Sequence, residues 1–158
     1  MFDLLDLVET RFVSIMDSIV FDKPLGGTGT ITVLQLGVQS RKASIGDEEY
    51  PFVLVRLKNG ADRPGLSTVT VELVCGLYVK PDRDNDGDVD GDDDLISPAK
   101  AAMSALIAGF RSLAADGNYS PYSFESMSYR IGDKDGLQPG PDYYQMTAEL
   151  EFSLAPIF

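Results

Sequence analysis

Two segments with alternating apolar and polar residues place the strongest constraint on the fold of this 158-residue chain. Ser67–Val79 and Tyr143–Leu154 each carry a run of apolar residues at every second position, with mostly polar residues between them. Successive side chains of a β-strand point to opposite faces of its sheet. Both segments therefore predict strands in a sheet that has one covered face and one wetter face.

The other periodic segments predict an α+β domain. Apolar residues recur at three- and four-residue steps in two regions, which predicts one helix that ends near Phe21 and another from an N-cap at Ser97 to a stop at Asp116. Asn59-Gly60, followed by Arg63-Pro64-Gly65, predicts a turn or loop. The predicted strands are Thr30–Leu36, Pro51–Lys58, Ser67–Val79, Phe124–Ile131 and Tyr143–Leu154. The expected order is α-β-β-β-α-β-β, with a largely antiparallel sheet and two helices in a single domain of residues 1–158.

Composition excludes several classes of function. The chain has no histidine and one cysteine, so it has no catalytic triad with histidine, no internal disulfide and no cysteine-rich metal site. Cys75 is interpreted as a small buried apolar residue. The net charge of −12 argues against specific nucleic-acid binding. The sequence shows no signal peptide and no apolar run of about 18–20 residues, so we expect synthesis in the cytoplasm and no membrane partner.

Most of the negative charge lies in one short segment. The 13 residues from Asp82 to Asp94 contain eight aspartates and Arg83, which gives this segment a net charge of −7 and leaves −5 for the rest of the chain. We interpret residues 82–94 as an aspartate-rich loop that is inserted between a strand and the second helix.

The spacing in this loop follows that of an EF-hand calcium loop, which places oxygen ligands at positions 1, 3, 5, 7, 9 and 12 and glycine at position 6. The predicted metal ligands are Asp82, Asp84, Asp86, Asp88, Asp90 and Asp93. Gly87 takes the glycine position, Val89 the aliphatic position that follows, and Asp93 replaces the usual glutamate. Asp88 is expected to act through its backbone carbonyl and Asp90 through water. The pattern resembles dockerin loops and predicts Ca²⁺ as the ion. The alternative is a solvated acidic loop without a specific ion.

The middle of the chain resembles the small tail-terminator and neck proteins of long-tailed phages. Glu49–Arg56 has the sequence EYPFVLVR, and Ser67–Tyr78 has the sequence STVTVELVCGLY. Both are similar to paired strand motifs of that family, in which a loop, an amphipathic helix and two C-terminal strands follow.

The resemblance implies a structural protein of the virion with a tail-terminator-like fold. Such a protein forms a homo-oligomeric ring, commonly a hexamer, that caps the tail tube, ends its polymerisation and joins it to the head connector. Its expected partners are the tail-tube protein and the head–tail connector proteins, and DNA passes through the ring without specific binding. The resemblance implies no catalytic residues.

Three other functions remain open. A head-completion or neck adaptor shares the expected order of elements and differs in its partner. A calcium-dependent binding module would carry a second loop or an aromatic platform, and neither is visible. An enzyme that uses a metal at the aspartate loop would need a positioned nucleophile, which the sequence does not offer, so we expect no enzymatic activity.

Overall fold

The computed structural model describes residues 2–34, 46–80, 91–116, 118–132 and 142–154. In this part of the chain the helices are α1 (Phe2–Met16) and α2 (Gly91–Asp116), with a short 3-10 turn at Asp47–Glu49. The strands are β1 (Phe21–Asp22), β2 (Thr28–Gly29), β3 (Thr32–Leu34), β4 (Phe52–Arg63), β5 (Leu66–Tyr78), β6 (Ser123–Ile131) and β7 (Tyr143–Leu154). The predicted α+β class is confirmed.

Five of the strands form one sheet in the order β3-β4-β5-β7-β6. β3 pairs parallel with β4, and the other three pairs are antiparallel. β1 and β2 form a separate two-stranded hairpin that the sequence patterns did not predict. The sheet is therefore largely antiparallel, and its two edges are a short parallel strand and a longer antiparallel one.

β5 and β7 form the centre of the sheet. Twelve consecutive pairs align them, from Ser67 opposite Leu154 to Tyr78 opposite Tyr143. The side chains on one face are at most 5% exposed; they are Val69, Val71, Leu73, Cys75, Leu77, Met146, Ala148, Leu150 and Phe152. The predicted alternation is thus confirmed in both strands, and this face is the one that the helices cover.

The two helices cover adjacent parts of this face. α1 lies against β3 and β4, whereas α2 lies against β7 and β6. The helices meet where the Phe12 and Phe110 rings stack with centroids 5.7 Å apart. Gly109 permits this approach, since a Cβ atom there would lie 2.6 Å from the Met16 Sδ atom. Burying a phenylalanine contributes about 1.5–3 kcal/mol, so this contact is a substantial part of the core.

Three predicted boundaries differ from the structure. α1 ends at Met16, because the chain turns there and the Ile19 N–H donates to the Met16 carbonyl at 3.1 Å. β3 covers only Thr32–Leu34 of the strand predicted at Thr30–Leu36, whose last two residues lie outside the described part.

The turn predicted at Asn59-Gly60 is wrong. β4 continues through it, because a bulge between Leu57 and Asn59 shifts the register and pairing with β5 then resumes. The hairpin turns at Pro64-Gly65, where Gly65 has a φ of +85° that suits glycine. The second part of the turn prediction, at Arg63-Pro64-Gly65, is thus confirmed.

Candidate functional site

The structure tests little of the predicted calcium loop. Asp82, Asp84, Asp86, Asp88 and Asp90 lie outside the described residues. The backbone of Asp93 is described and belongs to α2. Among the described residues, no three Cys, Asp or Glu side chains form a group that could hold a metal ion. The calcium site therefore stays a prediction.

The start of α2 differs from its predicted position. The helix begins at Gly91, and Pro98 is its eighth residue rather than its first. Proline donates no hydrogen bond within a helix, but the backbone is helical on both sides of Pro98. Gly91 is position 10 of the proposed loop, so the helix begins within the last three positions of the loop and includes Asp93.

The strand that leads into the aspartate-rich segment is anchored just before it. The Val79 N–H donates to the Asp142 carbonyl at 3.0 Å. The Lys80 N–H donates to the Asp22 Oδ2 atom at 2.9 Å. These bonds hold the end of β5 against the β1–β2 hairpin and the start of β7. The residues just before the predicted loop are therefore fixed by hydrogen bonds.

Cys75 is not available for chemistry. The residue lies in β5 and is fully buried in the core. Burial raises the pKa of its thiol far above the ordinary value, and a protonated, inaccessible thiol is a poor nucleophile. The interpretation of Cys75 as a buried apolar residue is confirmed.

The face of the sheet opposite the helices carries paired charges; it is called the second face below. The Arg56 Nε and Nη2 atoms lie 2.7 and 2.5 Å from the Glu72 Oε1 atom. The Glu72 side chain is 5% exposed, so its charge is largely removed from water. Glu149, directly opposite Glu72 on β7, pairs with Lys58 and lies 4.0 Å from Arg130. The cations offset the repulsion between the two opposed carboxylates.

A second apolar cluster occupies one end of this face. Tyr50, Phe52, Leu54 and Val74 are buried there, and the Tyr50 ring makes edge contacts with Phe52 and Tyr143 at centroid distances of 5.0 Å. Phe52 fits because it lies opposite Gly76, where a Cβ atom would come within 2.1 Å of its ring. The second face is therefore apolar at one end and charged in the middle.

The hydroxyl of Tyr143 connects this cluster to the 3-10 turn. It donates a hydrogen bond to the Asp47 Oδ1 atom at 2.8 Å. Partial burial, together with the hydrogen bond and the negative charge of Asp47, raises the pKa of Tyr143 from 10.0 to about 12. The neutral phenol is the form that the folded state stabilises.

A cleft of about 530 Å³ lies at the turn end of the β4–β5 hairpin, next to the last residue of β7. Its apolar lining consists mainly of Leu57, Val69, Tyr122 and Leu154. The exposed carboxylate of Asp62 and the Lys58 ammonium, which pairs with Glu149, lie at its polar rim. The cleft is large enough for a side chain of a partner, but its lining contains no pair of groups arranged for catalysis.

The ion pairs of the second face were not predicted from the sequence. The alternation of Ser67–Val79 puts Glu72 on the polar face of its strand but does not pair it with Arg56, although the two residues are directly opposite in β4 and β5. Opposite charges at matching positions of two predicted strands were the available signal, and that signal requires the register.

We predict that Glu72→Gln lowers the free energy of unfolding by about 1.5–3 kcal/mol, because it weakens hydrogen bonds to a charged partner and leaves Arg56 without its buried counterion. Chemical denaturation measures the change. Glu151→Gln is the matched control, since Glu151 is exposed on the same strand as Glu149; its effect should stay within about 0.5 kcal/mol. Equal effects of the two substitutions would contradict a special role for Glu72.

Alkaline pH should weaken the Tyr143 contact. Since the folded-state pKa is raised, the stabilisation is complete below pH 10 and is lost as the pH rises through 12. Thermal melts of the wild type and of Tyr143→Phe from pH 8 to 12 measure this difference. The two melting temperatures should differ below pH 10 and converge above it, and a constant difference over the whole range would refute the assignment.

Comparison of the chain with models of known protein families gives no match, and comparison with curated protein sequences gives no significant match. None of the helices in the described ranges has the length and apolar character that crossing a membrane requires.

Proposed function

We propose that this chain is a structural protein of a phage virion. It is made in the host cytoplasm and forms a homo-oligomeric ring of the tail-terminator type. The ring caps the tail tube, ends its polymerisation and connects it to the head. The observation that favours this role is the five-stranded sheet, which the helices cover on one face. Its other face carries ion pairs, and in the described residues its two edge strands, β3 and β6, each pair on one side only. Such a subunit suits head-to-tail contacts, which close into a ring by rotation.

The position of the family-like motifs supports this proposal. Glu49–Arg56 leads into β4, and Ser67–Tyr78 lies in β5. The resemblance thus rests on two adjacent antiparallel strands of the sheet, one of them central, rather than on peripheral loops.

The chemistry of the chain supports a structural role over an enzymatic one. The sequence has no histidine, and its one thiol is buried. Four charged groups of the second face are engaged in ion pairs with one another, those of Arg56, Glu72, Lys58 and Glu149. The overall charge of −12 also suits a conduit through which DNA moves without adhering.

The aspartate-rich loop is proposed to bind Ca²⁺ through Asp82, Asp84, Asp86, Asp88, Asp90 and Asp93. One Ca²⁺ ion, held by six to eight oxygen ligands, would offset part of the negative charge of a segment whose carboxylates otherwise repel one another. A helix that starts at loop position 10 favours this proposal, because an EF-hand loop is followed by a helix. The ion would order the connection between β5 and α2.

Calcium should raise the melting temperature of the wild type. At a concentration about 100 times Kd the stabilisation is about 2.7 kcal/mol, and each kcal/mol corresponds to about 2–4 °C for a chain of this size. Differential scanning calorimetry with calcium and then with chelator measures the shift. Asp84→Ala with Asp86→Ala should abolish it, whereas the control pair Asp133→Ala with Asp135→Ala should retain it. An unchanged melting curve for the wild type would eliminate the site.

Addition of the purified chain to polymerising tail-tube protein from the same phage should shorten the tubes. Negative-stain electron microscopy should show an extra ring at one end of each tube. Rings that bind the head connector but leave tube length unchanged would favour the neck-adaptor alternative. Tubes of unchanged length, without bound chain and without connector binding, would contradict both roles.

A further inference from the structure

We propose that the outer edge of β6 in one copy pairs antiparallel with the outer edge of β3 in the next copy, so that the five-stranded sheets join from subunit to subunit. This inference rests on the proposed ring and specifies its contact.

The hydrogen bonds of β6 show which backbone groups face outward. The Gly132 N–H donates to the Gln145 carbonyl at 2.9 Å, and the pairing of β6 with β7 continues from there in regular register back to Ser126. In an antiparallel pair, alternate residues direct both backbone groups toward the partner. Ser126, Ser128 and Arg130 therefore face β7. The intervening residues direct their N–H and C=O groups outward; they are Met127, Tyr129 and Ile131.

This edge also exposes apolar surface. Ile131 is 58% exposed and Tyr129 is 38% exposed, although both lie on the helix-covered face of the sheet. No described residue pairs with the outer side of β6, which lies at the end of the sheet. The bulge is confined to the opposite end of the strand, between Phe124 and Ser126. A regular edge of six residues without proline or lysine is a ready template for another strand.

The other edge of the sheet has a matching arrangement. The Thr32 N–H donates to the Pro51 carbonyl at 3.0 Å, so the backbone groups of Thr32 face β4 and those of Val33 face outward. Val33 lies opposite Val53, and its side chain packs against the core on the helix-covered face. In the described part of the chain, β3 pairs only with β4.

Two independent conditions for joining these edges are satisfied. The first is strand direction. β3, β4 and β7 run in one direction, whereas β5 and β6 run in the opposite direction. Copies related by rotation about an axis close to the strand direction would therefore bring β6 against an antiparallel β3, the geometry with the better hydrogen bonds.

The second condition is the face of the sheet. Residues that exchange two hydrogen bonds across an antiparallel pair lie on the same face. Val33 and the outward-facing residues of β6 all belong to the helix-covered face, so joining the edges keeps the helices of both copies on the same side. The exposed side chains of Tyr129 and Ile131 would then be covered by the neighbouring copy. If only the strand directions matched, the helices of successive copies would lie on opposite sides of the joined sheet. If only the faces matched, the two edge strands would be parallel.

Removal of one outward N–H group tests the pairing. Ile131→Pro removes the N–H at an edge position where the ladder with β7 does not use it, and Ile131→Ala removes a similar amount of apolar surface but keeps the N–H. Light scattering after size exclusion should show loss of the ring for Ile131→Pro and a smaller weakening for Ile131→Ala. Circular dichroism melts verify that both variants fold. Equal assembly of the two variants would contradict backbone pairing.

Disulfide cross-linking identifies the partner edge without a folding defect. Chains with Thr32→Cys are mixed with chains that carry Ser128→Cys or Arg130→Cys and are oxidised; the buried Cys75 serves as the unreactive background. The proposal predicts a mixed dimer of the Thr32→Cys chain with one of the two β6 variants. Cross-links of β6 with β6, or rings without any mixed cross-link, would overturn this contact while the proposed ring remains. A monomeric wild type would overturn both.

Discussion

The antiparallel pairing of β5 with β7 determines which side chains lie on each face of the sheet. Twelve aligned pairs fix the register over the whole length of both strands. A slip of β7 by one residue would turn its side chains to the opposite faces, so the core would lose Ala148 and Leu150 and would receive the carboxylate of Glu149. The packing of both helices, the charged second face and the outward groups at the sheet edges all follow from this one register.

The same register creates an electrostatic conflict and its solution. It sets Glu72 directly opposite Glu149, an arrangement that destabilises a sheet when the charges are unpaired. Arg56 on β4 offsets the first carboxylate. Lys58, also on β4, reaches the second carboxylate across β5, and Arg130 approaches it from the adjacent strand β6. The opposed carboxylates in the middle of the second face are thus balanced by cations from β4 and β6.

The sequence predicted the features that depend on local patterns and missed those that depend on contacts between distant segments. Alternation in β7 predicted its bounds, because each residue of a central strand experiences one face or the other. The bulge beside Leu57 depends on pairing with β5, and the three-residue strand β3 depends on a parallel neighbour. The start of α2 was predicted too late because Pro98 is a strong local signal for a first turn. The aspartates of the calcium pattern before Gly91 lie outside the described residues, so that prediction still rests on spacing alone.

Self-association into a closed ring is the central claim, and the mass of the assembled protein tests it most directly. Native mass spectrometry and sedimentation velocity should be measured over a wide range of protein concentration, with and without calcium. We expect one oligomer of fixed subunit number, whose mass does not grow as concentration rises, because a head-to-tail contact that closes leaves no free edge. A monomer at every concentration, or a ladder of sizes that lengthens with concentration, would contradict it.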